Sequence, residues 1–367
     1  MSLFENIYVI RNKNAYYYLG ANLLSMIGDW VYFVVVTAVL YKTGGLSSVA
    51  LLSVIRQIPF ILLVPVAGVI IDYYSRRKLV FISAIVSALS MLGLCFILWF
   101  NISNVWVIFL CVLVNALAGT ISRPIQMAVM PKLVDTKSLL SLNTLSNVSG
   151  TVALIVGPML ASLFLAIHHN SVAFLFNLMV VLVLLSVMLL LPRSIYEINA
   201  DSEFEISSMF SFKRVLRVLK DWKAVFVDFI HNDVMLTVLM FLLVNHIVVG
   251  AIWVLIPEMT RVTSVGSVGI GYMNTAVGVG SVVGALLGGW FGRKSLKVST
   301  ITGVIGMGLS VFLLSVTNSL FMIYVSFALI GLFANISDGP MWTILQNNTD
   351  DSNAGRVYSS IDSFTVL

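Results

Sequence analysis

Five ionisable side chains lie where charge is expensive. Asp29, Arg56, Arg123, His246 and Asp338 each fall inside a long apolar run of this sequence. An ionised group at the centre of a membrane-spanning helix costs about 2.5–3.5 kcal/mol on insertion scales, so such residues mark a pathway or find a partner. Asp29 and Arg56 match in depth: with the N-terminus inside, Asp29 lies about 20 Å, and Arg56 about 17 Å, from the inner surface, at 1.5 Å per residue across a core of about 30 Å. Two chemistries fit them. One is a structural ion pair that makes two helices compatible with lipid; the other is a carboxylate whose protonation changes as the protein works. His246 is the one histidine well inside a run. Histidine titrates between about pH 5 and 8, which suits a proton relay. The plain alternative is a hydrogen-bonded packing residue.

The elements that position these groups follow from composition. The chain has 367 residues, of which 59% are hydrophobic and 10% charged, with a mean hydropathy of +1.02. Soluble chains carry about 45–50% apolar and about 25% charged residues. That excess excludes a soluble enzyme, a disordered scaffold and a nucleic-acid binder. A helix needs about 20 apolar residues to cross the hydrocarbon core. Ten runs qualify, at about 16–41, 48–72, 79–100, 104–130, 142–167, 171–192, 233–257, 268–291, 298–316 and 319–345, and the start of an eleventh follows Tyr358. Barrel-type alternation is absent. The expectation is an all-α membrane protein with about ten complete transmembrane helices and the beginning of another. Cys95 and Cys111 sit in apolar runs and imply no disulfide framework. The first run carries Asp29 and lacks a small-residue cleavage site, which argues against a removed signal peptide. With no phosphate-binding loop, metal cluster or catalytic triad in the sequence, no cofactor, metal or enzymatic activity is expected.

Basic residues give the direction. With the N-terminus in the cytoplasm, all but Lys42, Arg261, Arg56 and Arg123 of the 21 basic residues fall on the inner side, as the positive-inside rule requires. The polar interval after Pro192 divides the chain into an N-terminal six-helix half (1–192), a cytoplasmic linker (193–232) and a C-terminal half (233–367) of four helices and a stub. In the linker, 210–229 mixes Phe212, Leu216, Leu219, Trp222 and Phe226 with five basic residues, the composition of an amphipathic helix lying on the inner leaflet.

The halves repeat. A shift of 217 places Arg76-Arg77-Lys78 on Arg293-Lys294-Ser295, and Asp29 on His246. A shift of 215 places Ile121-Ser122-Arg123 on Ile336-Ser337-Asp338. Parallel six-helix repeats are one recurrent transporter plan. Opposite charges at Arg123 and Asp338 could form a gate contact between the halves; the alternative is that Arg123 snorkels to lipid while Asp338 is satisfied locally. Gly280, Gly284 and Gly288 form a four-residue ladder that lets another helix approach.

Gly68-Val-Ile-Ile-Asp72-Tyr-Tyr-Ser-Arg76-Arg77-Lys78 resembles the hallmark loop of the major facilitator superfamily, with Tyr73 and Ser75 departing from its pattern. Arg123-Pro-Ile-Gln126, Met130-Pro131, Leu142-Asn143 and Gly355-Arg356 resemble the branch that contains macrolide-efflux and enterobactin-export proteins. Gly157-Pro158 is similar to the superfamily's exporter motif, though Ala161 and Ser162 replace its last glycines. The resemblance implies a major facilitator fold of twelve helices in two pseudo-symmetric halves, so the chain reads as C-terminally truncated. It also implies that Asp72, with Arg76 and Arg77, holds the inner side shut.

The function expected is secondary active transport in the cell membrane by alternating access. The specific expectation is a proton-coupled antiporter, working as a monomer, that exports a small hydrophobic or amphipathic compound such as a drug, macrolide or siderophore. Proton-coupling and cavity candidates are Asp29, Arg56 and His246; gate and loop candidates are Gly68, Asp72, Arg76, Arg77, Arg123 and Asp338; Gly157 and Pro158 carry the exporter motif. The alternatives are uptake by the same fold, or a non-transporting receptor or assembly partner.

Overall fold

The computed structural model describes residues 11–349 except 101, 103, 136–137, 168–169 and 197–231, with backbone only at 61, 62, 64–70, 72, 73, 140 and 170. The proposed linker helix and the stub after Tyr358 therefore lie outside the described residues, as does the side chain of Asp72. Among the described residues, nine helices are long and apolar enough to cross a membrane.

The first of them, α1 (Lys13–Tyr73), has 61 residues, about 90 Å if straight against a hydrocarbon core of about 30 Å. It is not straight. Gly45, at φ 69° and ψ −163°, occupies a backbone region essentially reserved for glycine, and the chain doubles back there. The Arg56 guanidinium lies 4.6 Å from the centroid of the Phe33 ring, residues that a straight helix would hold about 35 Å apart. The connection expected between the first two runs is thus a single residue between antiparallel arms. Helices α2 (Arg76–Trp99), α3 (Val105–Val129), α4 (Leu139–Ala166) and α5 (Asn170–Leu190) follow. Short 3-10 turns at Met130–Leu133 and Arg193–Tyr196 extend the ends of α3 and α5. The second set is α6 (Asp233–Val262), α7 (Val268–Lys294), α8 (Leu296–Val316) and α9 (Leu320–Asn347).

The chain forms two compact units, Met1–Ser211 and Phe212–Leu367. In the first, α1 packs on α3, α4 and α5, and α2 on α3 and α5. The basic end is closed by a cluster of Ala15, Tyr18, Ile71, Ile125, Leu142, Met188 and Tyr196. Outer faces are inverted relative to a soluble protein: Leu89, Trp99, Trp106, Leu110, Leu182 and Leu190 are exposed, as lipid contact requires.

In the second unit, α9 is the axle on which α6, α7 and α8 pack. The glycine ladder meets it without side chains. A Cβ on Gly280 would stand 1.8 Å from the Ala328 carbonyl oxygen, and one on Gly284 2.1 Å from that of Leu332. Pro340 removes the hydrogen bond that would reach the Ile336 carbonyl, and Ser299 Oγ of α8 donates to that oxygen instead, at 3.0 Å. Helix-breaking proline is tolerated in a membrane when a neighbour satisfies the freed group in this way. Gly284→Val is accordingly expected to abolish recovery of monodisperse protein on gel filtration. Gly289→Val, where a Cβ meets nothing within 4 Å, is expected to leave recovery near wild type. Equal recovery of both would mean that the close approach does not hold the unit together.

Candidate functional site

In the first unit the charges converge on one face. Asp29 Oδ2 lies 3.9 Å from Arg123 Nη2, and the two side chains are 57% and 59% exposed. At that distance the pair attracts without a hydrogen bond, and exposed pairs of this kind contribute little to stability. It is a contact that can open. Arg56 stacks on Phe33 and remains within electrostatic range of Asp29, Arg123 and Tyr32. The Asp29–Arg56 pair expected from depth is thus corrected: the ion pair of Asp29 is with Arg123, and Arg56 takes an aromatic face. Guanidinium over a ring face is favourable in its own right.

The turn of α1 that carries Asp29 is clamped from behind. Asn177 Nδ2 of α5 donates to the Gly28 carbonyl at 2.6 Å. Gly157 of α4 leaves so little room that a Cβ there would stand 2.4 Å from Trp30 Cβ and 3.0 Å from the Ile27 carbonyl oxygen. Pro158 lies inside α4, and its carbonyl accepts from Ser162 Oγ at 3.2 Å.

The second unit carries a counterpart. His246 Nδ1 donates to the Leu242 carbonyl at 2.8 Å. Asp338 lies within electrostatic range of His246 and accepts a hydrogen bond from the Trp342 side chain. The local partner weighed for Asp338 is therefore present. Asn245 Nδ2 of α6 reaches the Ala334 carbonyl at 3.2 Å and Ser337 Oγ at 3.3 Å on α9. These buried neighbours lock the two helices in the register that sets His246 against Asp338.

Residues 18–367 match the family profile described as the Major Facilitator Superfamily. The chain belongs to the major facilitator superfamily. This major facilitator is 23% identical over 362 residues to the staphyloferrin A transporter of Staphylococcus aureus (strain NCTC 8325 / PS 47), an alignment covering 94% of this chain and 84% of that one. It is 22% identical over 331 residues to macrolide efflux protein A of Streptococcus pyogenes, covering 89% and 79%. Its fold is similar to the solved structure of a bacterial homologue of the iron transporter ferroportin, with a TM-score of 0.70 at 15% identity, covering 100% of this chain and 89% of that one.

The hallmark loop of this major facilitator lies between α1 and α2. Gly68 and Asp72 belong to the last turns of α1. Arg76 Nε donates to the Ile71 carbonyl at 3.4 Å, and Arg77 Nη2 to the Leu189 carbonyl at 2.6 Å. Each cation thus sits on carbonyls at the C-terminal end of a helix, where the macrodipole favours it. Asn177, Asn245 and Ser337 escaped the sequence reading. The signal was there, since an amide inside an apolar run needs a partner helix.

Proposed function

We propose that the chain is a proton-coupled exporter of a small hydrophobic or amphipathic compound, working by alternating access as a monomer, with its N-terminus in the cytoplasm. The observation that carries this reading is the pair of couples at repeat-related positions. Asp29 and Arg123 occupy the first and fourth helical passes of one half; His246 and Asp338 occupy the equivalent passes of the other. The sense of charge is reversed between them. Ionisable groups kept at mid-span face water or a pathway rather than lipid, so both faces are assigned to the transport route. In the first couple only the carboxylate can change charge, because guanidinium stays protonated.

The remaining candidates take supporting roles. Arg56 adds positive potential beside Asp29. Gly157 and Pro158 shape the helix that presses on Trp30. Gly68, Asp72, Arg76 and Arg77 form an inner latch, which Arg76 and Arg77 support by tying helix ends together. Export rather than uptake, and compounds in the range of macrolides and siderophores, are brought by the names of the relatives.

The test is transport in everted membrane vesicles with an imposed pH gradient, using a radiolabelled macrolide and a labelled siderophore as probes. Accumulation of either that collapses with the gradient supports the reading. Accumulation indifferent to the gradient removes proton coupling. Gradient-driven entry into intact cells instead reverses the direction.

A further inference from the structure

The first unit has a second built feature, away from the couples. At its basic end, α2, α5 and the turn after α5 line an open groove of about 880 Å³. Its lining divides by depth. Arg77, Lys78 and Arg193 stand at the rim, and Phe81, Ile82 and Leu189 continue the wall toward the apolar length of the two helices. Lys78 is in the first turn of α2 and Leu189 in the last turn of α5, so the groove straddles the boundary between polar chain ends and hydrocarbon. Phe81 and Ile82 are exposed there.

Among the described residues, no acidic side chain lines the groove. Its one phenol, Tyr196, is buried and donates to the Met188 carbonyl. Burial pushes that hydroxyl up to about 12, against the opposing pull of Arg77. It stays neutral at any physiological pH, so among the described lining residues the three cations meet no opposite charge. Arg77 is oriented by its bond to the Leu189 carbonyl, and its planar fork carries five N–H donors in all.

We propose that this groove binds an anionic phospholipid, with the phosphate among Arg77, Lys78 and Arg193 and an acyl chain along Phe81 and Ile82. Charge complementarity sets the headgroup, and the apolar wall below it makes the ligand amphipathic rather than a free anion. The site needs only that the bundle sit in a membrane; it does not depend on the direction or coupling of transport.

The experiment is thermal unfolding of the full chain in a neutral maltoside detergent. Titrants are dioleoyl phosphatidylglycerol, dioleoyl phosphatidylcholine and inorganic phosphate. Phosphatidylglycerol is expected to raise Tm saturably, and phosphatidylcholine is not. Lys78→Gln/Arg193→Gln removes two exposed side chains and is expected to raise the half-maximal lipid concentration by on the order of tenfold. Lys294→Gln/Lys297→Gln, in the other unit, is expected to leave it unchanged. Equal loss in both variants would make the effect one of diffuse surface charge and overturn the site. An equal response to inorganic phosphate would make it a free-anion site. A response that appears only after Glu197, Asp201, Glu203 and Glu205 are replaced by their amides would assign the groove to the chain's own acidic segment.

Discussion

Asp29→Asn is expected to lower gradient-driven export by about tenfold or more while leaving folded protein in the membrane; allosteric couplings commonly span 5–150-fold. The loss follows from the contact itself. A loose, half-exposed pair adds little to folding, yet it biases a two-state equilibrium by whatever it contributes in one state and not the other. Neutralising Asp29 removes that difference and leaves Arg123 and Arg56 without the carboxylate between them. The sharper form is a charge exchange. Asp29→Arg and Arg123→Asp are each expected to impair export about as severely, and the double variant to recover to within about threefold of wild type, since residues in contact couple strongly. Gel-filtration profiles establish that every variant is folded. Wild-type rates from Asp29→Asn would remove the couple from the mechanism. A double variant as poor as the worse single would mean that 3.9 Å proximity carries no coupling.

His246→Gln is the second large effect expected. Glutamine keeps a polar side chain on α6 but removes the imidazole within electrostatic range of Asp338, and the export rate is expected to fall about tenfold. Asp338→Asn should produce a comparable loss if the two residues act as one couple. Their double variant should be no worse than the worse single. A multiplicative loss would show two independent residues, and a wild-type export rate in His246→Gln would leave that histidine as packing. Asn245 and Ser337 are left intact in both variants, so the α6–α9 register is preserved.

The apolar runs were legible because each must span the same hydrocarbon thickness, and length plus composition decides that without tertiary information. The ionisable residues were legible for the complementary reason, since each is conspicuous against its run. Their pairing was not. Depth along a helix placed Asp29 with Arg56, but depth says nothing about tilt or rotation, and an Arg side chain reaches well beyond its own Cα. The contact with Arg123 is set by those quantities, and they depend on how α1, α3 and α4 pack. The glycine ladder on α7 was readable as a close approach; that its partner is the backbone of α9 was not. The sharp reversal at Gly45 also escaped. The runs at 16–41 and 48–72 leave six residues between them, whereas the backbone stays helical on both sides of one glycine.

That reversal has a mechanical consequence. A loop between two passes is slack: it absorbs sliding, rotation and added residues. Gly45 absorbs none, because the arms on either side share one hinge and no spare length. Displacement of the arm bearing Asp29 must therefore be handed to the arm bearing Arg56, and from its far end to the residues around Ile71, whose carbonyl holds Arg76. The tip of this hairpin should be among the places in the first unit least forgiving of an inserted tag, while its two arms behave as one rigid lever.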